Sequence, residues 1–138
     1  MFRYKIMNPV EAHTLLKQFD CLNPTHPPIQ REQLRQALLQ VAHQSDDQLL
    51  GICADTLSQG QRALETYAKA LGYTPNPQFS PIQGAVYIKF NPKSELCYAD
   101  SYSGDHRGVL VSCQSADEPG LNEMYGHLPL DLFETDRL

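Results

Sequence analysis

No apolar run in this 138-residue chain approaches the roughly 20 residues needed to cross a bilayer. The segment from Met1 to Pro9 has early positive charge but no apolar stretch behind it, so it is not expected to act as a signal peptide. A cytoplasmic location without a membrane partner is therefore the expectation. The four cysteines, Cys21, Cys53, Cys97 and Cys113, contain no Cys-x-x-Cys pair. Zinc needs clustered ligands, usually with one tight pair, so no metal site is expected. Each cysteine has apolar or small neighbours and reads as a buried, reduced thiol. Lys and Arg nowhere cluster, and a nucleic-acid partner, which needs a basic face, is not expected. There is no Gly-x-Gly-x-x-Gly, Walker or Gly-x-Ser-x-Gly sequence and no cysteine beside a histidine. No cofactor is implied, and nucleophilic catalysis has no support.

What is present suits an ordinary folded domain. With 41% hydrophobic and 20% charged residues, the composition is near the globular average and wholesale disorder is not expected. The length fits one domain, residues 1–138, with enough core to stand without disulfides. Charge is unevenly placed. Residues 1–114 are balanced, whereas the last 24 carry six acids against Arg137 alone, giving the net −5.

Along the chain, Asn8-Pro9-Val10-Glu11 reads as a helix start, with Asn8 as cap and Pro9 at the first position. Leu15, Leu16 and Phe19 then recur at helical spacing to about Asp20. Three prolines stiffen the connection from Asn23 to Pro28. A second helix is predicted from about Ile29 to Gln44, with Leu34, Ala37, Leu38, Val41 and Ala42 as its apolar stripe. Leu49 to Cys53 is a short, nearly continuous apolar run, best read as a buried strand. Asp55 is placed to cap a third helix ending at Gly72, a role that outweighs a phosphate site because its carboxylate would repel an anion. A proline-rich link through Pro75, Pro77 and Pro81 follows.

From Val86 the period changes to two, and short loops divide strands ending near Phe90, Tyr102 and Gln114. Such loops predict an antiparallel meander. Pairing Phe90 with Glu95, and Tyr102 with Gly108, gathers Val86, Ile88, Phe90, Cys97, Ala99, Val109, Val111 and Cys113 on one core face. Tyr87, Lys89, Tyr98, Asp100, Tyr102, Leu110, Ser112 and Gln114 then share the other, a face for water or a partner. The predicted fold class is α+β: two N-terminal helices, a short strand, a third helix, then a three-stranded antiparallel meander in one sheet with helices packed on one face. Ser115 to Gly120 reads as a loop, Tyr125 to Phe133 as an extended segment docked through alternating leucines, and Glu134 to Leu138 as a frayed acidic end.

Three stretches carry a family resemblance: Leu49 with Gly51-Ile52-Cys53-Ala54-Asp55, then Ser101 to Gln114 containing Ser103-Gly104-Asp105-His106-Arg107-Gly108, then Tyr125-Gly126-His127-Leu128-Pro129-Leu130-Asp131-Leu132-Phe133. They resemble the cyanobacterial family catalogued as domain of unknown function 1824, from about residue 30 onward. The resemblance implies a cyanobacterial source and a compact α+β domain. It brings no activity, so no residue acquires a role from it.

The densest polar group is Asp100 to Gly108, where Asp105, His106 and Arg107 supply a carboxylate, an imidazole and a guanidinium. Gly, Asp and Ser at a loop tip also satisfy turn geometry, and a solvated loop is the plainer reading. His127 would join a polar pocket or a weak metal site if it met His106 and Asp105; a histidine bonded to backbone is the simpler expectation. His13, His26 and His43 are placed on helix surfaces or in the proline link. Leu130-Asp131-Leu132-Phe133 could pass for a linear docking peptide, but internal docking of Leu130 and Phe133 is favoured. Function is unknown at this level, and a non-enzymatic interaction or regulatory domain ranks first. It would contact a protein partner or small-molecule ligand through Tyr98, Asp100, Tyr102, Asp105, His106, Arg107 and His127. The alternative is a small-molecule-binding or hydrolytic enzyme with a polar pocket around the 100–108 loop and His127. Homo-oligomerisation through the open face is a third reading.

Overall fold

A computed structural model describes residues 8–23, 25, 29–45, 47–114 and 122–134. Its elements run α1 (Pro9–Gln18), α2 (Arg31–His43), β1 (Gln48–Ala54), α3 (Leu57–Ala70), β2 (Val86–Asn91), β3 (Leu96–Ser101), β4 (Gly108–Gln114) and β5 (Asn122–Met124). The class is α+β as read from the sequence. The expected loop at 115–120, most of the proline connection with His26, and the ends at 1–7 and 135–138 lie outside the described residues.

Helix starts follow local chemistry. Asn8 Oδ1 accepts from the Glu11 amide at 2.8 Å, with Pro9 in the first turn. α2 begins two residues later than predicted, where the Gln33 side chain accepts from the Gln30 amide at 3.3 Å. α3 is capped by Thr56, not Asp55: the Thr56 hydroxyl accepts from the Gln59 amide at 3.1 Å. Asp55 instead turns to Arg107, as described below. The stripe of α2, together with Gly60, Ala63, Leu64, Tyr67 and Ala68 of α3, is buried.

The sheet is the main correction. All neighbours are antiparallel, but the order is β3-β2-β1-β4-β5, so β2, β3 and β4 do not form a simple meander. β1 lies between β2 and β4, with Ile52 opposite both Ile88 and Val109. The central position gives β1 hydrogen-bonded neighbours on both edges and buries Leu50, Ile52 and Ala54 completely. The β2–β3 register differs from the predicted one by two residues, with Phe90 opposite Cys97 and Ile88 opposite Ala99. A shift of two preserves which side chains share a face, so the inner set survives. Val86, Ile88, Phe90, Val109, Val111 and Cys113 are at most 2% exposed, while Cys97 and Ala99 are half-buried at the sheet edge.

α3 packs on β1 and β2, and α1 packs on α2, within one core cluster. Among the described residues, no helix packs on the opposite face of the sheet. The last described segment starts as predicted: Leu128 bridges Val109 in extended form. It then turns, with the Leu132 amide donating to Pro129 O and the Glu134 amide to Asp131 O. Because of that turn Leu128 and Leu132 are fully buried, while Leu130 and Phe133 are only half-buried.

Candidate functional site

On the open face the centre is low. β1 presents Gly51 and Cys53 there, and Gly51 has no side chain to fill its place. The Tyr87 ring lies across it, with its hydroxyl 2.8 Å from where a Cβ would stand. A glycine inside an apolar strand often marks such a close approach. Cys53 is 3% exposed and accepts company from the Tyr102 hydroxyl; burial pushes its thiol up, with Tyr102 and Arg107 opposing. It is a thiol, not a ready thiolate.

Around this floor lies a depression of about 590 Å³. Tyr87, Tyr98, Tyr102, Leu110 and Met124 form mostly apolar walls. Asp100, Ser101, His106 and His127 bring polar groups to it. A cleft of this kind, apolar with a few convergent polar groups, is how small-ligand sites are usually built. Tyr98 also borders a second depression of about 440 Å³, which contains Lys89, Leu49 and Ser112. Among the described residues, no helix covers the tyrosines: Tyr98 is 54% exposed, and Tyr87 and Tyr102 are half-buried with ring centroids 6.4 Å apart.

The polar groups are held by specific contacts. Tyr98 OH donates to Asp100 Oδ2 at 2.7 Å and the Ser101 amide donates to Asp100 Oδ1 at 2.7 Å. These two bonds hold the Asp100 carboxyl below its ordinary range, the Tyr98 bond contributing most. The His106 and His127 rings stack at 5.7 Å with an interplanar angle of 18°. His127 O accepts from the Cys21 amide at 2.9 Å. His127 Nδ1 is buried and lies 3.3 Å from Asp20 Oδ1, within ion-pair reach but off the hydrogen-bond direction.

Five predicted residues therefore gather at one depression: Tyr98, Asp100, Tyr102, His106 and His127. The other two do not. Asp105 is exposed and does not line it. Arg107 is a strut: Nε pairs with Asp55 Oδ1 at 2.5 Å, Nη1 donates to Gly104 O, and the guanidinium carbon stands 5.4 Å from the Tyr102 ring centroid. With the Tyr102 amide donating to Ala85 O at 2.9 Å, this ties the 102–107 connection across the ends of β2 and β1. Cys53 and Met124 join the depression without a sequence signal that singles them out as site residues, and Tyr87 and Leu110 carry only the expectation of an open-face position. Strand alternation through Leu50, Ile52 and Ala54 would have turned Cys53 outward.

Other expectations shift too. His13 is buried at 7% exposure, not on the helix surface; its Nδ1 meets Tyr125 OH and lies 3.1 Å from Glu123 Oε2. Of the cysteines, all free, Cys53 and Cys113 are buried, Cys97 is half-buried and Cys21 is exposed. Among the described residues, no group of three or more His, Cys, Asp or Glu is arranged to hold a metal ion. Among the same residues no helix is long and apolar enough to cross a membrane.

The fold and depression define a small α+β domain with an open-faced antiparallel sheet. The chain belongs to the family described as Domain of unknown function (DUF1824), whose model matches residues 14–133. A solved structure, that of an uncharacterized protein from Anabaena variabilis ATCC 29413, is similar at 53% identity and a TM-score of 0.77. The match covers 92% of this chain and 99% of that one, and the source of that structure is a cyanobacterium. No curated protein matches the chain.

Proposed function

We propose that this domain is a non-enzymatic binding module that takes a small, partly apolar ligand on its open sheet face, in the depression between the tyrosines and the His106–His127 stack. The observation that carries this reading is the convergence of Tyr98, Asp100, Tyr102, His106 and His127 on one cleft floored by Cys53. Ring walls supply apolar contact area at low entropic cost, and the few polar groups orient the ligand. Catalysis by the 100–108 loop is disfavoured because Asp105 does not line the depression and Arg107 is committed to Asp55 and Gly104. A shared target for acid, base and anion-binding groups is what such chemistry would require.

A metabolite screen followed by amide NMR tests the proposal. A hit should shift the amides of Gly51, Cys53 and Leu110. Hits that perturb only the helical side, or none across a broad screen, would end it. The same reading keeps the domain in the cytoplasm, supported by four free thiols; a tagged chain recovered with membranes or exported would contradict it.

A further inference from the structure

The lining of the site has a chemical character that its shape alone does not express. Of the residues lining the 590 Å³ depression, Asp100 is the one carboxylate, and none is Lys or Arg. Among the described residues, no Lys or Arg nitrogen pairs with that carboxylate. Its two hydrogen bonds come from neutral donors, Tyr98 OH and the Ser101 amide, so its charge is steadied but not cancelled. Arg107 pairs with Asp55 and holds its guanidinium carbon 5.4 Å from the Tyr102 ring centroid, and Lys89, opposite Tyr98 in register, lines the second depression.

Beside this carboxylate stand three phenol rings. Tyr87 is directly opposite Asp100 across the β2–β3 ladder, Tyr98 is bonded to it, and Tyr102 is 6.4 Å from Tyr87. Ring faces carry negative potential and attract cations, more strongly where water is excluded. The floor is an uncharged thiol, and the remaining wall is Leu110 and Met124. Aromatic faces, one unneutralised carboxylate and a soft apolar wall together suit an organic cation, in the manner of quaternary-ammonium cages.

We propose that the depression selects a small organic cation, an alkylated ammonium group seated against Tyr87 and Tyr98 with Asp100 as its counter-charge. This rests on the binding-module reading above and adds the ligand's chemical class.

The test uses the full chain at pH 8 with three probes of similar shape: choline, its uncharged isostere 3,3-dimethylbutan-1-ol, and the anion 3,3-dimethylbutyrate. Amide NMR titration should place choline at Gly51, Cys53 and Leu110, and not at Leu49 and Ser112 of the second depression. Its binding should be roughly tenfold tighter than the alcohol's, the increment expected of a cation over aromatic faces. Asp100→Asn keeps Oδ1 as the acceptor for the Ser101 amide, lets its own amide donate to the Tyr98 hydroxyl, and removes the charge. It should bring choline to within about twofold of the alcohol, with the rest of the spectrum unchanged. If all three probes shift those amides with equal affinity, or if Asp100→Asn leaves the preference intact, the cation assignment is overturned while the pocket stands. If none of the probes shifts those amides, the cation assignment is overturned, and the metabolite screen then decides the binding-module reading separately.

Discussion

At Gly51 a methyl group would arrive 2.8 Å from the Tyr87 hydroxyl, the free end of a side chain that can swing over the open face. At Gly126 the same methyl group would run into the Phe19 carbonyl and stand 2.8 Å from Asp20 Cβ, where backbone must move. Gly51→Ala should therefore cost less than about 1 kcal/mol while displacing Tyr87, and Gly126→Ala about 2 kcal/mol or more. Urea denaturation of the two variants checks the contrast; equal midpoints would refute it. Side-chain direction was the most legible quantity at this scale. Alternation alone put Tyr98 and Asp100 outward and Ile88 inward, because strand geometry leaves no other choice. What alternation could not supply was distance along the third dimension. His13 gave no sign of meeting Tyr125, 112 residues away, nor did Arg107 of leaving its own loop for Asp55.

Four contacts fasten the final turn to the helices. Tyr67 OH donates to Pro129 O at 2.6 Å, Arg35 Nε to Leu132 O at 2.6 Å, Arg31 pairs with Asp131 at 3.1 Å, and Arg62 with Glu134 at 2.6 Å. The Tyr67 bond matters most, since that side chain is fully buried and packs edge-on against Phe133 at 4.9 Å. Tyr67→Phe would strip the Pro129 carbonyl of its donor, and a loss of about 1–2 kcal/mol is expected. Hydrogen exchange at the Leu128 amide, which bonds Val109 O, should quicken in step. An unaltered urea midpoint would mean that water replaces the hydroxyl at no cost. The helices were readable because their stripes recur within one turn of the chain. The sheet order was not. Leu49–Cys53 is apolar whichever neighbours it has, and a short connection after Tyr102 suggests adjacent strands even though it in fact crosses two strand ends. Nothing in so short a run specifies its partners.

For the molecule as a whole, burial of neutral acids sets an alkaline limit. Burial pushes the Cys113 thiol from 9.0 up to about 12, and pushes the Tyr67 and Tyr125 phenols upward as well. The folded state thus keeps protons that the unfolded chain releases. Their contribution is complete below about pH 9, the unfolded thiol's value, and disappears as pH climbs through the folded value near 12. Cys113 alone should add at most ~1.4 kcal/mol per pH unit to the decline. Urea unfolding from pH 8 to 10.5 under reductant should give a visibly shallower decline for Cys113→Ala than for the parent; parallel curves would count against it. The placing of β1 between β2 and β4 has a consequence in time as well as in space. A ribosome delivers β1 first, yet both strands that flank it are made later, the second after Arg107. The nascent chain therefore holds its most apolar strand with bare edges through much of synthesis, and the domain's exposure to misassembly is decided before its last third has been translated.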